Sequence, residues 1–207
     1  MQAIILARRD FRESDQIISF LTLEKGKMEV LAKGVKKIIS KNSAHLEPFS
    51  YVELEIIKGK ELNHLGAVQS IDYFINIRQD LQKSLIAGFV VSLLNKILEI
   101  EEKDKRIFIL LKSWLKFVNN CSEIKLVMVD GFVVKLLFYL GLDIVSVEKT
   151  SRELKKDLTI LLEGDWQLIF NLKFEKGEYE KLHRLIYKFL VFQIGKKIND
   201  WGSFVFS

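Results

Sequence analysis

The stretch QIISFLTLEKGKMEVLAKG, residues 16–34, decides what the first third of this chain can be. Two apolar runs rich in strand formers, residues 16–23 and 27–34, flank the polar connection LEKGK with its single glycine. That spacing is a β-hairpin signal. Working outward, AIILARR (3–9) comes before it, and SYVELEII (50–57) and HLGAVQSI (64–71) follow. In the fourth run Val52, Leu54 and Ile56 fall on one face, and Tyr51, Glu53 and Glu55 on the other, the alternation of a half-buried strand. Pro48, the only proline, precedes that strand, where its missing N–H removes no ladder bond. Five short strands with a polar excursion between the third and fourth suit a small closed barrel. A five-stranded OB-fold and a less specific β-domain both fit the pattern.

After Arg78 the apolar period lengthens to that of helices, about 3.6 residues. The spacing predicts helices over residues 79–101, 104–119 and 122–140, with Gly141 as a C-terminal cap, and a last helix over 178–200;. Segments this rich in leucine, isoleucine and phenylalanine need partners, so they should pack as a bundle. Between them LTILLEGDWQLIFNLKF (158–174) reads as a β-hairpin turning at Gly164-Asp165. The expected architecture is α+β: an OB-fold barrel for nucleic acid over residues 1–78, then a mainly α-helical domain over 79–207 with a small β-hairpin near 158–174.

The 207 residues are 49% hydrophobic and 29% charged, with a net charge of +5. That composition builds a real core and excludes overall disorder. The single cysteine, Cys121, excludes a disulfide framework, and three scattered histidines, His45, His64 and His183, offer no metal-ligand spacing;. No metal or other cofactor is expected. The apolar run of the N-terminus precedes its charges, the reverse of a secretory signal, and the longest apolar run is about half of what spans a bilayer;. A cytoplasmic location without membrane contact is therefore expected. Phosphate-loop, zinc-protease and serine-hydrolase motifs are missing;. With no catalytic residue to name, an enzyme is not expected.

Charge clustering is more informative than charge total. Between Glu29 and Glu47 no acid interrupts a loop carrying Lys33, Lys36, Lys37 and Lys41. Such a run is usually a solvated loop. Here it connects two strands of the expected barrel, and phosphate contact needs only cations within reach. Arg8, Arg9 and Lys27 can add to the same field, and Phe11, Phe49 and Tyr51 are candidates for base stacking or for core. Nucleic-acid binding is the favoured reading; a protein-interaction scaffold is the runner-up, and an RNA-directed OB protein is a third reading.

These residues also carry a resemblance. Phe11-Arg12-Glu13-Ser14-Asp15, Thr22 to Gly26, Ala32-Lys33-Gly34-Val35-Lys36-Lys37 and Leu46-Glu47-Pro48-Phe49 follow one another in the order and spacing that resemble the N-terminal domain of the RecO family of bacterial DNA repair proteins. Phe132, Leu136, Leu137, Leu140 and Gly141 are similar to that family's Phe-x-x-x-Leu-Leu-x-x-Leu-Gly helix. The resemblance implies a recombination mediator of the bacterial cytoplasm, associated with the nucleoid. It would bind single- and double-stranded DNA, anneal complementary strands and cooperate with RecR. It would also contact the C-terminal tail of single-stranded DNA-binding protein (SSB) and so assist loading of RecA. For an acidic tail ending in an aromatic residue, Arg184 and Lys188 share one helical stripe with Lys181, and Lys112 and Lys116 form a rival pair;. Two departures stand out. Many relatives carry a four-cysteine zinc module after the Leu-Gly helix, whereas residues 143–176 contain no cysteine, so a hairpin held by Trp166, Ile169 and Phe170 is expected there. Asp130-Gly131 also stands where relatives often carry basic residues.

Overall fold

The computed structural model describes residues 1–37, 42–60, 62–146, 151–175 and 177–204. Five strands open the chain: β1 (Gln2–Asp10), β2 (Gln16–Thr22), β3 (Gly26–Ala32), β4 (Tyr51–Ile57) and β5 (His64–Asp72). They close into a barrel in the order β1-β2-β3-β5-β4, with β1 also pairing antiparallel to β4. Only the β3–β5 seam is parallel, through Leu31 and His64. A 3₁₀ turn, Ser43–Leu46, lies between β3 and β4. This strand order and closure make the barrel an OB-fold.

Alternation fills the barrel. Ala3, Ile5, Ile18, Phe20, Met28, Val30, Val52 and Leu54 form its core with Leu46 from the 3₁₀ turn. Each fully buried aliphatic or phenylalanine side chain contributes about 1.5–3 kcal/mol. The β2–β3 turn is closed by Thr22, whose Oγ1 donates to the Gly26 carbonyl at 3.0 Å and accepts from Lys25 N at 2.9 Å. Gly26 has φ of +71°, and a Cβ there would lie 1.9 Å from the Glu102 carbonyl oxygen. Only glycine fits.

Helices α1 (Ile75–Gln79), α2 (Leu81–Ile97) and α3 (Lys105–Asn120) follow. The long helix expected from residue 79 is preceded by a separate short one. Asp80 is both the C-cap of α1 and the N-cap of α2, its side chain accepting from Lys83 N. By compactness the chain divides after Asn120 into a first unit, Met1–Asn120, and a second, Cys121–Ser207. The change of hydrophobic period near residue 78 therefore lies inside the first unit, where α2 packs on β1 and α1 on α3.

The second unit holds α4 (Val127–Tyr139), α5 (Arg152–Glu163), α6 (Trp166–Phe170), α7 (Glu178–Ile194) and a terminal 3₁₀ turn, Trp201–Ser203. Gly141 ends α4 with φ of +80°, as its expected capping role requires;. The hairpin expected over residues 158–174 is corrected: this stretch is helical. Ser151 caps α5 by accepting from Leu154 N, and Asp165 caps α6 by accepting from Leu168 N at 2.7 Å. Gly164-Asp165 is thus a helix stop and restart rather than a β-turn. Leu158 and Leu161, three residues apart, are fully buried on one face of α5. Ile169 of α6 is fully buried over Gly131, where an added Cβ would lie 3.1 Å from Ile169 Cδ1. Among the described residues no helix is long and apolar enough to cross a membrane.

Candidate nucleic-acid interface

Three loops of the barrel converge beside β3. The β1–β2 loop is tight: Phe11 N donates to the Asp15 carbonyl at 3.2 Å, and Asp15 N to the Arg12 carbonyl at 3.3 Å. Asp15 then reaches across to the basic loop, its Oδ1 accepting from Gly34 N at 2.8 Å, while the Ser14 carbonyl accepts from Lys36 N at 3.1 Å. Gly34 has φ of +63°. The β4–β5 loop is tied in by Leu31 N, which donates to the Asn63 carbonyl at 2.9 Å. Ser14 and Asp15 thus clamp the basic loop from a neighbouring strand connection.

Between these loops lies a cleft of about 420 Å³. Phe11 and Leu62 border it, each 41% exposed, and Leu31 and His64 line it. Arg12, Lys33 and Lys60 supply its positive charge, the Arg12 guanidinium lying 5.1 Å from the Phe11 ring centre. The cleft combines cations with an exposed π-face. These are the two components with which OB-folds hold single strands, on the β2–β3 face and between the β1–β2 and β4–β5 loops.

The expected basic residues that the structure describes divide into three sets. Lys33, Lys37 and Arg9 are exposed; Arg9 is 4.0 Å from Glu29, and Lys33 and Lys37 make no ion pair among the described residues. Arg8 pairs with Glu47 at 2.7 Å and Lys36 with Asp10 at 2.9 Å. Hydrogen bonds from Gln16 and Lys36 hold the Asp10 carboxyl below its ordinary range. Lys41 falls outside the described residues. Lys27 requires a correction. It is buried, and its ammonium donates to the carbonyls of Asn95 at 2.5 Å and Leu98 at 3.1 Å. A cation at the carbonyl end of α2 is a helix cap, not a phosphate ligand. Phe49 and Tyr51 are likewise buried, which leaves Phe11 as the exposed ring of the three. Arg12 and Lys60 completed the cleft without being singled out from sequence, because a lone cation in a short loop carries no pattern.

The partner candidates also separate. Lys112 donates to Tyr51 Oη at 2.8 Å and lies 4.4 Å from that ring, so it is committed to joining α3 and the barrel, while Lys116 is exposed. Arg184 and Lys188 are exposed on α7, and Phe192, four residues on, is 82% exposed.

Within the second unit a buried polar cluster explains Asp130. Its carboxylate, fully buried, accepts from Tyr179 Oη at 2.7 Å, His183 Nδ1 at 2.9 Å and Trp201 Nε1 at 3.0 Å. His183 Nε2 meets Asp200 Oδ1 at 2.8 Å. Burial pulls the His183 pKa down, but the hydrogen bonds and charges of Asp130 and then Asp200 outweigh it and hold the pKa above 6.5. Burial, with the adjacent Asp130, pushes the Tyr179 phenol upward, so it stays a donor. Among the described residues no three His, Cys, Asp or Glu side chains are grouped to hold a metal ion.

The strand order and the loop-framed cleft define the class: an OB barrel followed by helices. Comparison with known sequences then identifies the lineage. Family models described as "Recombination protein O N terminal" and "Recombination protein O C terminal" match residues 1–74 and 78–150. The DNA repair protein RecO of Dehalococcoides mccartyi is 37% identical over 125 residues, 60% of this chain and 49% of that protein. That of Geobacter metallireducens is 35% identical over 119 residues, 58% of this chain and 49% of that protein. That of Desulforamulus reducens is 31% identical over 144 residues, 69% of this chain and 55% of that protein. The chain belongs to the RecO family. Its matched stretch spans about half the length of these curated relatives.

Proposed function

We propose that this chain is a non-catalytic, DNA-binding recombination mediator acting in DNA repair in the bacterial cytoplasm. The observation that carries this reading is the cleft of the barrel, where Arg12, Lys33 and Lys60 surround the exposed Phe11 and Leu62. Cations neutralise phosphates without regard to sequence, so two strands can be gathered on one basic surface while base pairing supplies the specificity. Annealing by this route breaks no covalent bond and needs no general acid or base.

The family supplies the remaining parts of the proposal: cooperation with RecR, contact with the tail of SSB and assistance to RecA loading. For the tail, the stripe Arg184, Lys188 and Phe192 on α7 offers cations beside an exposed ring. An acidic peptide with an aromatic end fits that chemistry.

The test is a salt titration of oligonucleotide binding together with annealing of SSB-coated complementary strands. Replacing Lys33, Lys37 and Lys60 with alanine should lower the log–log salt slope on single strands by roughly 2, at about 0.7 per phosphate contact, and slow annealing. An unchanged slope would remove this cleft from the interface.

A further inference from the structure

We propose that the outer face of α2 pairs antiparallel with the α2 of a second copy of this chain, making a two-fold dimer. Leu81, Leu85, Gly88 and Ser92 follow one another at steps of four, three and four residues, so they fall on one narrow stripe of the helix. The residues that α2 buries, among them Ile86, Val90, Leu93 and Ile97, lie on its opposite side. Leu81 is 74% exposed, Leu85 is 49% exposed and Ser92 is exposed, while a Cβ on Gly88 would meet no atom within 4 Å. Single exposed leucines are ordinary, but a whole solvent face without charge is not. From Leu81 to Asn95 the only charged side chain is Lys83, which is buried. The exposed side of α3, by contrast, carries Lys105, Arg106 and Lys116. A helix that is apolar on every side belongs in an interior, and leucines left in water cost free energy.

The order of large and small residues selects the occupant. In an antiparallel pair whose two-fold axis passes between positions 86 and 87, Leu85 of one copy faces Gly88 of the other, and Leu81 faces Ser92. Each leucine then enters the gap left by a small residue, a knob in a hole. A parallel pair would set leucine on leucine and Gly88 on Gly88, a clash beside a void. Charge favours the same contact. Two chains of net charge +5 repel each other, and this stripe lets them meet without burying a charge. The seam is about 17 Å long at 1.5 Å per residue, short for an interface, so the dimer should be weak. It makes no use of the barrel cleft and is independent of the DNA-binding reading above.

Sedimentation velocity of the full chain without DNA, from about 5 to about 300 µM, covers the range expected of so small an interface. The unaltered protein should pass from monomer to dimer, and more readily at higher salt, which screens the repulsion. Leu81→Glu should weaken the dimer about tenfold or more, because a lone carboxylate would be buried. Gly88→Leu separates a fitted seam from general stickiness. It adds apolar surface at an open position, so stickiness would increase, whereas filling the hole should weaken pairing about tenfold. Leu85→Ala/Gly88→Leu exchanges large and small residues and should regain much of the lost affinity. Circular dichroism checks that each variant is folded. If Gly88→Leu does not fold, Leu81→Glu, at a position 74% exposed, carries the test alone. A chain that stays monomeric, or a dimer indifferent to Leu81→Glu, overturns the pairing. So does a dimer strengthened by Gly88→Leu, or an exchange variant that pairs no better than Gly88→Leu.

Discussion

Asp130 and His183 lie 53 positions apart in sequence and 2.9 Å apart in space, a buried carboxylate against an imidazole whose other nitrogen is held by Asp200. With a carboxylate oxygen at each ring nitrogen, both nitrogens can donate only when the ring is protonated. The pKa above 6.5 makes this a pH-dependent contribution. A base whose folded pKa is raised adds stability that is fully present below its unfolded value and is lost as pH rises through the folded one. The Tm difference between the unaltered protein and His183→Gln should therefore be greatest near about pH 6 and shrink towards about pH 9. NMR titration of the ring should place its midpoint above 6.5. A midpoint below that value would contradict the arrangement.

Removing the carboxylate should cost more than removing any one donor. Asp130→Ala leaves Tyr179, His183 and Trp201 without their shared acceptor, and a loss of about 3–5 kcal/mol is expected. Tyr179→Phe removes one bond and should cost about 1 kcal/mol. Chemical denaturation of both variants checks the order, and equal losses would argue against a shared acceptor.

Lys27 separates structural from functional charge. Lys27→Met keeps much of the volume but leaves the carbonyls of Asn95 and Leu98 without its ammonium. Stability should fall by up to about 2 kcal/mol, as for a partly buried cation at a helix end, while DNA affinity and its salt slope stay unchanged. A reduced slope with unchanged Tm would return Lys27 to the interface.

Asp15 gives a test in which charge and position pull in opposite directions. Asp15→Ala removes a negative charge near the basic loop, which by Coulomb attraction alone should strengthen DNA binding. It also releases Gly34 N, which Asp15 Oδ1 holds at 2.8 Å. One such bond is worth about 1 kcal/mol, so binding should weaken severalfold despite the better charge balance. Stronger binding would show that the clamp does not matter.

Chelation should leave the thermal midpoint unchanged. Residues 151–170 are organised by α5 and α6, whose junction is fastened by Lys135. Its Nζ donates to the carbonyls of Leu162 at 2.6 Å and Gly164 at 2.8 Å. Lys135→Met should lower Tm where a chelator does not. Stoichiometric zinc lost together with structure would refute this.

The barrel was legible because period-two alternation in residues 50–57 and the Thr22–Gly26 turn are local signals. Gly141 was legible for the same reason: a cap needs only its own φ. The α5–α6 stretch misled because leucine, isoleucine, tryptophan and phenylalanine serve strands and helices alike, so the capping residues Ser151 and Asp165 were the discriminating signal;. The exposed cations of the basic loop could be read from their clustering. The burial of Lys27 could not, because its partners lie 68 and 71 positions away. The Asp130 cluster left one trace, an acid inside the apolar run VMVDGFVV. A charge in that position asks for buried donors, but the run does not say which ones.

The division after Asn120 bears on how such a barrel can be inherited. The family models change over near residue 75, yet the Lys27 ammonium is seated on the end of α2, and Gly26 is shaped by the backbone of Glu102 just beyond it. A fragment cut where the sequence families meet would strand a buried charge and uncover the face of β1 on which α2 rests. Recombination between relatives would exchange this barrel intact only if the crossover fell after α3. The boundary between the family models and the boundary between the compact units are offset here by about 46 residues.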